Sequence, residues 1–236
     1  GSEMCIRDRM KKQIMLERIN RKEVLRYLGY KGISADATVN MLIDECEAEV
    51  IKAAVPRYTY RVTGVTQTAD GVELDGTGLI LRGNSIKEHL KGCDRAALIA
   101  VTLSEGIDRM LRIMQTLDLA KAVVSDSLAS AAIEQVCDKL EAIIKEELPE
   151  YNQTFRFGIG YGDLPLSQQG EFLKVLNAPK LIGLNVGKTD MMVPTKSVTA
   201  VIGLTTGEVS AKNKGCMSCN LKGTCSFRVS GGHCNG

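Results

Sequence analysis

Four cysteines close to the C-terminal end are the first residues in this chain that could do chemistry. They follow the spacing C-x2-C-x5-C-x8-C, at Cys216, Cys219, Cys225 and Cys234. The residues around them are mostly Gly, Ser, Lys and Asn, so hydrophobic burial cannot order this segment and a covalent or metal crosslink is needed. Four thiolates at this spacing fit a tetrahedral zinc site or an iron–sulfur cluster. Two disulfides, or four free thiols, are the alternative without a metal.

A glycine-rich segment in the second half of the chain is the other candidate. It reads R-F-G-I-G-Y from Arg156 to Tyr161. Gly158 and Gly160 allow a backbone to approach a ligand closely and to offer it N–H groups. Arg156 offers a planar fork of donors to a carboxylate or a phosphate, and Tyr161 offers a ring face and a hydroxyl. A structural turn that carries a surface arginine is the alternative.

The same segment does not match two common phosphate-binding motifs. No Gly-Lys-Ser/Thr follows it, which excludes a Walker loop. No strand–loop–helix unit with a later acidic residue surrounds it, as a dinucleotide fingerprint requires.

The composition is that of an ordinary globular protein. The 236 residues suffice for one large or two small domains, and 44% of them are hydrophobic and 25% charged. A net charge of +2 without a long basic run, with 4% aromatic residues and no Trp, argues against nucleic acid as the main partner. No apolar run reaches the ~18–20 residues that cross a bilayer, so no membrane association is expected.

The first residues do not have the pattern of a signal peptide. GSEMCIRDRM is polar and charged, and we expect residues 1–9 to be a tag or an upstream scar, with a natural start near Met10. Cys46, Cys93 and Cys137 lie in apolar periodic segments, which predicts buried thiols in a reducing compartment. The cytoplasm is therefore the expected location.

The first half of the chain predicts two helices and a small sheet. Asn20 is the predicted N-cap of a short helix that stops at Gly29, and Ser34 or Asp36 caps a longer helix after it. Three short β-branched runs between residues 57 and 83 are cut by Asp-Gly and Gly turns, which predicts an antiparallel meander.

The centre of the chain alternates between a buried strand and long helices. Arg95–Leu103 is a nearly continuous apolar run, which suits a buried central strand. Ser104 is the predicted cap of the next helix. The longest helical pattern covers residues 119–148, and Pro149 closes it.

The last part predicts a helix over residues 168–176 and strands over Leu181–Leu184 and Ser197–Leu204. Strands that look antiparallel, with helices segregated from them, indicate an α+β fold rather than a doubly wound sheet. We expect an antiparallel or mixed sheet with long helices, followed by a small Cys-rich metal module. The predicted division has four parts: a tag or scar at residues 1–9, N-terminal helices with the meander at 10–92, a core continuous with them at 93–207, and the Cys-rich tail at 208–236.

Three strings around the glycine-rich segment carry a family resemblance. R-F-G-I-G-Y-G-D-L-P, V-L-N-A-P-K-L-I-G-L and T-D-M-M-V-P-T-K-S-V resemble the activation domain of cobalamin-dependent methionine synthase. That family's loop reads R-x-A-x-G-Y-P-x-x-P, followed by a helix, an apolar strand and an acidic-x-x-Met-x-Pro-x-x-Ser-Val run. The resemblance spans roughly residues 95–205. The positions in step are Arg156, Gly160, Tyr161, Pro165, Gly183, Met192, Pro194, Ser197 and Val198.

The resemblance implies that the chain binds S-adenosylmethionine and presents its methyl group to cob(II)alamin during reductive remethylation. Arg156 would pair with the α-carboxylate of the ligand, and Tyr161 would lie against it. Glu134 or Glu150, which stand where the family places acidic residues, would hold the α-ammonium or the ribose hydroxyls. The implied ligand-binding residues are Glu134, Glu150, Arg156, Gly158, Gly160 and Tyr161.

The resemblance also implies a protein that works in trans. The chain has no D-x-H-x-x-G motif for cobalamin ligation, and its only histidines are His89 and His233. Its expected partner is a cobalamin-dependent methionine synthase that lacks its own activation domain, so the chain would be an accessory component rather than a complete enzyme. Reactivation needs a low-potential electron, which favours a 4Fe–4S cluster over zinc on the four C-terminal cysteines.

Two other functions stay open at this point. Val201 and Ile202 stand where the family carries aromatic residues, one of which touches the adenosine. A docking or structural partner of a corrinoid methyltransferase, with a degraded ligand pocket and a zinc-stapled tail, would fit that change. An independent methyltransferase is disfavoured, because no set of general base and nucleophile is visible.

Overall fold

The computed structural model describes residues 12–30 and 35–208, which form seven α-helices and nine strands. The helices are α1 (Arg21–Tyr27), α2 (Ala37–Ala53), α3 (Asn84–His89), α4 (Glu105–Leu117), α5 (Leu119–Glu147), α6 (Gln169–Val175) and α7 (Ala178–Ile182). The strands are β1 (Arg57–Gln67), β2 (Gly71–Leu74), β3 (Leu79–Arg82), β4 (Arg95–Thr102), β5 (Asn152–Gln153), β6 (Phe157–Gly158), β7 (Asn185–Val186), β8 (Met192–Val193) and β9 (Ser197–Thr205). A short 3-10 helix, Leu166–Gln168, precedes α6.

The chain divides into two compact units, each assembled from three segments. The first takes the described residues up to Arg61, together with Ala100–Ile144 and Asn177–Val198. The second takes Val62–Ile99, Lys145–Leu176 and the described residues from Thr199 onward. The division at residues 92 and 93 that the sequence suggested stays a prediction.

Helices α1 and α2 begin where their capping residues predict. The Asn20 side chain accepts hydrogen bonds from the N–H groups of Lys22 and Glu23, and so caps α1. The Asp36 carboxylate accepts one from the N–H of Val39, and so caps α2. Both caps satisfy backbone donors that a helix leaves without an internal partner. The predicted stop at Gly29 is confirmed by its φ of +87°, which favours glycine.

The residues before α1 are fastened to α2 and α5. The N–H of Ile19 donates to the Glu47 carboxylate, at 2.6 Å. The Gln135 side chain accepts from the N–H of Asn20 and donates to the Arg18 carbonyl. Ile14, Leu16 and Ile19 are buried. This N-terminal segment is therefore part of the core of the first unit.

The sheet confirms the predicted α+β class. Its strand order is β3-β2-β1-β4-β9-β5, and β6 also pairs with β9. The predicted meander is present, because β2 pairs antiparallel with both β1 and β3. In β4 every residue after Arg95 is buried, as its continuous apolar run predicted. β9 confirms the predicted strand over Ser197–Leu204.

Two local predictions were wrong. Residues 181–184 do not form a strand, since Leu181 and Ile182 end helix α7 and Gly183 caps it with a φ of +73°. Pro179 in the first turn and Gly183 after the last residue are the signals of a short helix. The prediction followed the apolar run instead of these signals. Ser104 stands at the N-cap position of α4, but its hydroxyl donates instead to the Val55 carbonyl, at 2.6 Å.

The cysteines within the fold are mostly buried. Cys46 and Cys137 are buried as predicted, and Cys93 is half-buried. Burial raises the pKa of the Cys46 and Cys93 thiols above the ordinary value. None of the helices in residues 12–30 and 35–208 has the length and hydropathy needed to cross a bilayer.

Candidate functional site

A β-bulge lies directly before the glycine-rich segment, in the second unit. Gln153 pairs with Leu204, and Phe157 pairs with Val201. The chain takes four steps from Gln153 to Phe157, whereas β9 takes three from Leu204 to Val201, so one extra residue lies between β5 and β6. A bulge bends its strand and redirects the side chains within it. Arg156 lies within this bulged stretch, and it is half-buried.

Thr154 and His89 fasten the bulge. The Thr154 N–H donates to the Gly203 carbonyl at 2.9 Å, and the Gly203 N–H donates to the Thr154 hydroxyl at 2.7 Å. That hydroxyl also lies 3.0 Å from Nε2 of His89. A Cβ on Gly203 would come within 2.6 Å of the Cys93 Sγ and 3.0 Å of the Thr154 Cγ2. Glycine at this position therefore leaves room for the Cys93 thiol and the Thr154 side chain.

An aromatic cluster continues from the bulge into the glycine-rich segment. The His89 ring lies 4.6 Å from the ring of Phe155 and 4.9 Å from that of Phe157, measured between centroids. Phe157 meets Tyr161 edge to face at 5.6 Å. Phe157 is buried, whereas Tyr161 is 46% exposed. The inner rings thus form a base on which the outermost ring, that of Tyr161, is presented to solvent.

Two consecutive turns shape the glycine-rich segment. The Tyr161 N–H donates to the Gly158 carbonyl, and the Leu164 N–H donates to the Tyr161 carbonyl. Gly160 has a φ of +88° at the third position of the first turn, and Gly162 has a φ of +59° at the second position of the next. Turns of these kinds need a positive φ at those positions, which glycine supplies without strain.

Asp163 closes the segment against the start of α3. Its carboxylate accepts hydrogen bonds from the N–H groups of Asn84 and Ser85, each at 2.8 Å. Burial acts to raise the pKa of Asp163, but these backbone bonds from Ser85 and Asn84 outweigh it and hold the pKa below its ordinary value. A Cβ on Gly83 would lie 2.7 Å from the carboxylate, so glycine there leaves room for this contact.

The side chains of Gln168 and Gln169, which follow the segment, are buried and make hydrogen bonds within the protein. Gln168 donates from its side chain to the Ile80 carbonyl at 2.6 Å and accepts from the Arg82 N–H at 2.8 Å, and so pairs with the outer edge of β3. Gln169 exchanges hydrogen bonds with the hydroxyl of Thr199. Both glutamine side chains are therefore buried amides whose hydrogen-bonding groups have partners.

Five of the six predicted ligand residues lie in the second unit and on one stretch of chain. Glu150 is exposed in the turn between α5 and β5. Arg156 follows in the bulge, Gly158 ends β6, and Gly160 and Tyr161 form the first turn. A Cβ on Gly158 would meet only the Thr199 carbonyl, at 3.7 Å, which is ordinary contact.

Glu134, the sixth predicted ligand residue, belongs to the first unit. It lies half-buried on α5, in the part of that helix that belongs to the first unit. Burial raises the pKa of Tyr27 on α1, and the charge of Glu134 raises it further. The role of Glu134 toward a ligand stays a prediction.

Sequence reasoning missed three residues that make long-range contacts in or near the segment. Asp163 stands within the G-D-L-P string, where an acidic side chain after a glycine is a signal for a hydrogen bond to backbone N–H groups. The sequence did not indicate which N–H groups these are. His89 and Gln168 carry no local signal, because their partners lie far along the chain.

The predicted metal site lies outside the described residues. Cys216, Cys219, Cys225 and Cys234 all follow residue 208. Among residues 12–30 and 35–208, no three His, Cys, Asp or Glu side chains are grouped so that they could hold a metal ion. The metal module stays a prediction from the cysteine spacing.

Comparison with known proteins supports the fold. No protein-family model matches the chain, and no curated protein matches it. Among solved structures, the chain is similar to the crystal structure of the MetH reactivation domain bound to AdoHcy. The TM-score is 0.56 and the identity 17%, over 80% of this chain and 67% of that one. At this identity the likeness establishes an activation-domain-like α+β fold.

Proposed function

We propose that this protein is an activation subunit that binds S-adenosylmethionine and offers its methyl group to a corrinoid held by another protein. The proposal is carried by one observation. In a fold like that of a reactivation domain bound to AdoHcy, the segment Arg156–Tyr161 joins a half-buried arginine in a β-bulge to an exposed aromatic ring.

The residues of the segment suit the chemistry of that ligand. Arg156 supplies a guanidinium that can take both oxygens of the α-carboxylate. Glu150, exposed before β5, supplies a carboxylate for the α-ammonium or the ribose hydroxyls. The exposed ring of Tyr161 offers a π-face to the sulfonium cation or to the adenine. Together these groups fix the orientation of the ligand.

The reaction requires a second protein. S-Adenosylmethionine gives its methyl group to the reduced corrinoid, the carbon–sulfur bond breaks, and S-adenosylhomocysteine is released. The partner supplies the corrinoid, and a separate one-electron donor supplies the reduction. Methyl transfer needs the reacting atoms about 3–3.5 Å apart, so the glycine-rich turns would have to face the corrin closely. The proposed partner is a methionine synthase without its own activation domain.

Calorimetry with the full chain tests the ligand. S-Adenosylmethionine and S-adenosylhomocysteine should both bind the wild type. Arg156→Ala should lose a charge-assisted contact of about 1.5–3 kcal/mol, which raises Kd by roughly 10-fold to 150-fold. Arg112→Ala is the matched control, because Arg112 is an exposed arginine on α4 in the first unit. Equal losses in both variants, or no binding by the wild type, would refute the pocket.

A second assay tests the action in trans. Remethylation of cob(II)alamin on a methionine synthase that lacks its activation domain is followed with a strong reductant and S-adenosylmethionine. Adding this protein should accelerate the reaction, and Tyr161→Ala should remove the gain. Tyr161→Phe keeps the ring and should keep most of it. A rate that does not respond to this chain would contradict the activator role.

The alternative of a docking protein without ligand rests on β9. Val201 and Ile202 are fully buried aliphatic residues, where the methionine synthase family carries aromatic ones. Under this alternative the chain binds its methyltransferase partner equally well with and without S-adenosylmethionine. The titration above separates the two functions, because the alternative predicts no heat of ligand binding.

We further propose that the four C-terminal cysteines hold a 4Fe–4S cluster that relays the electron, with structural zinc as the alternative. The absorption spectrum of anaerobically purified protein distinguishes them. A broad band near ~400 nm that bleaches with dithionite is expected for the cluster. A colourless protein that holds one zinc ion would favour docking instead.

A further inference from the structure

We propose that Asp163 and His89 are positioning residues, which hold the segment Arg156–Asp163 in one conformation by fastening it to both ends of α3. The consequence for ligand affinity rests on the proposed function. The fastening itself rests on contacts within the second unit.

The first end of α3 depends on Asp163. The helix has six residues, and helices this short are not stable by themselves in water. Gly83 at its N-cap has no side chain to cap it. The two N–H groups at its start instead donate to the Asp163 carboxylate, at 2.8 Å each. The helix start and the end of the segment therefore order each other.

The second end depends on His89, the last residue of α3. Its ring contacts Phe155 and Phe157, which stand on either side of Arg156 in the sequence. Its Nε2 lies 3.0 Å from the Thr154 hydroxyl in the bulge. His89 thus holds the residues before and after Arg156, and so determines where the chain enters the segment.

The proposed ligand groups lie between these two attachments. Arg156 lies between the two phenylalanines, and the Tyr161 ring packs against Phe157. A segment fastened at both ends to one helix has little conformational freedom left to lose when a ligand binds. Positioning of this kind raises affinity without any contact to the ligand.

The test uses the full chain labelled with 3-fluorotyrosine. The 19F resonance of Tyr161 is assigned as the one that disappears in Tyr161→Phe. Asp163→Ala and His89→Ala remove the two attachments, and His89→Phe keeps a ring in contact with Phe155 and Phe157. Asp36→Ala is the matched control, because it removes a carboxylate cap from α2 in the first unit. Each variant is also titrated with S-adenosylmethionine, and its thermal unfolding is recorded.

We expect Asp163→Ala and His89→Ala to shift or broaden the Tyr161 resonance and to weaken ligand binding by about 10-fold or more. His89→Phe should retain most of the wild-type resonance. Asp36→Ala should lower Tm without moving the resonance or the Kd. If Asp163→Ala does not fold, Asp163→Asn carries the test, since it keeps one acceptor oxygen.

Two results would overturn the proposal. One is an unchanged Tyr161 resonance in both attachment variants, and the other is a displaced resonance with an unchanged Kd. A wild type that binds no S-adenosylmethionine would instead overturn the proposed function. In that case the fluorine spectra still decide whether α3 fastens the segment.

Discussion

The two glycines of the R-F-G-I-G-Y segment are expected to respond differently to the same substitution. Gly160 has a φ of +88°, and a Cβ there would lie 3.1 Å from the Leu166 Cδ1. Gly158 has no positive φ, and its Cβ would meet the Thr199 carbonyl at 3.7 Å. Alanine therefore fits at residue 158 and is strained at residue 160.

The magnitude follows from the backbone. A side chain in the left-handed region costs about 1–2 kcal/mol. Replacing either glycine with alanine also stabilises the protein by about 0.4–1 kcal/mol, because the unfolded chain loses freedom. This second contribution is common to both variants and cancels in their difference. Leu166 is a flexible, partly exposed side chain, so its contact adds little. Gly160→Ala should thus be about 1–2 kcal/mol less stable than Gly158→Ala.

Thermal unfolding followed by circular dichroism measures this difference. For a chain of this size, 1 kcal/mol shifts Tm by about 2–4 °C, so the two variants should differ by roughly 2–8 °C. Gly158→Ala should unfold at or slightly above the wild-type temperature, because its Cβ meets only ordinary contact within the protein. Equal Tm values for the two variants, or a lower value for Gly158→Ala, would refute the conformational argument.

Three further predictions concern the surroundings of the segment and the C-terminal tail. Gln168→Ala should lower the unfolding free energy by about 1–3 kcal/mol, because the Ile80 carbonyl and the Arg82 N–H lose their partner. Gln67→Ala, which removes one exposed hydrogen bond, should be near neutral. Urea titration compares the two variants, and similar losses would contradict the pairing of Gln168 with the edge of β3. The pKa of Asp163 is lower in the folded state than in the unfolded state, so its carboxylate should stabilise the protein at neutral pH and stop doing so as the pH falls below about 4. Between pH 6 and 3 the Tm of Asp163→Asn should therefore fall less than that of the wild type. Identical Tm profiles would exclude this contribution of Asp163 to stability. Replacing any one of the four C-terminal cysteines with serine should release the bound metal, as measured by elemental analysis. The four positions are Cys216, Cys219, Cys225 and Cys234. Full metal content in every variant would show that the site is misassigned.

The sequence by itself determined the features that depend on neighbouring residues. Asn20 and Asp36 cap their helices with side-chain oxygens that reach N–H groups two or three residues ahead, so the signal and its partner lie within one turn. The continuous apolar run of β4 likewise predicts its own burial. Residue types and spacing also selected the segment with Arg156 and Tyr161 as the candidate site, and its ligand role stays a prediction.

The tertiary structure decided how that segment is shaped and held. The bulge that contains Arg156 arises from a one-residue difference between the 152–158 stretch and β9, which no local pattern encodes. The partners of Asp163 lie 78 and 79 residues away, and His89 lies 65 residues from Thr154. Hydrogen bonds and ring contacts over such separations form only when the chain has folded, because the intervening residues must first bring the groups within reach.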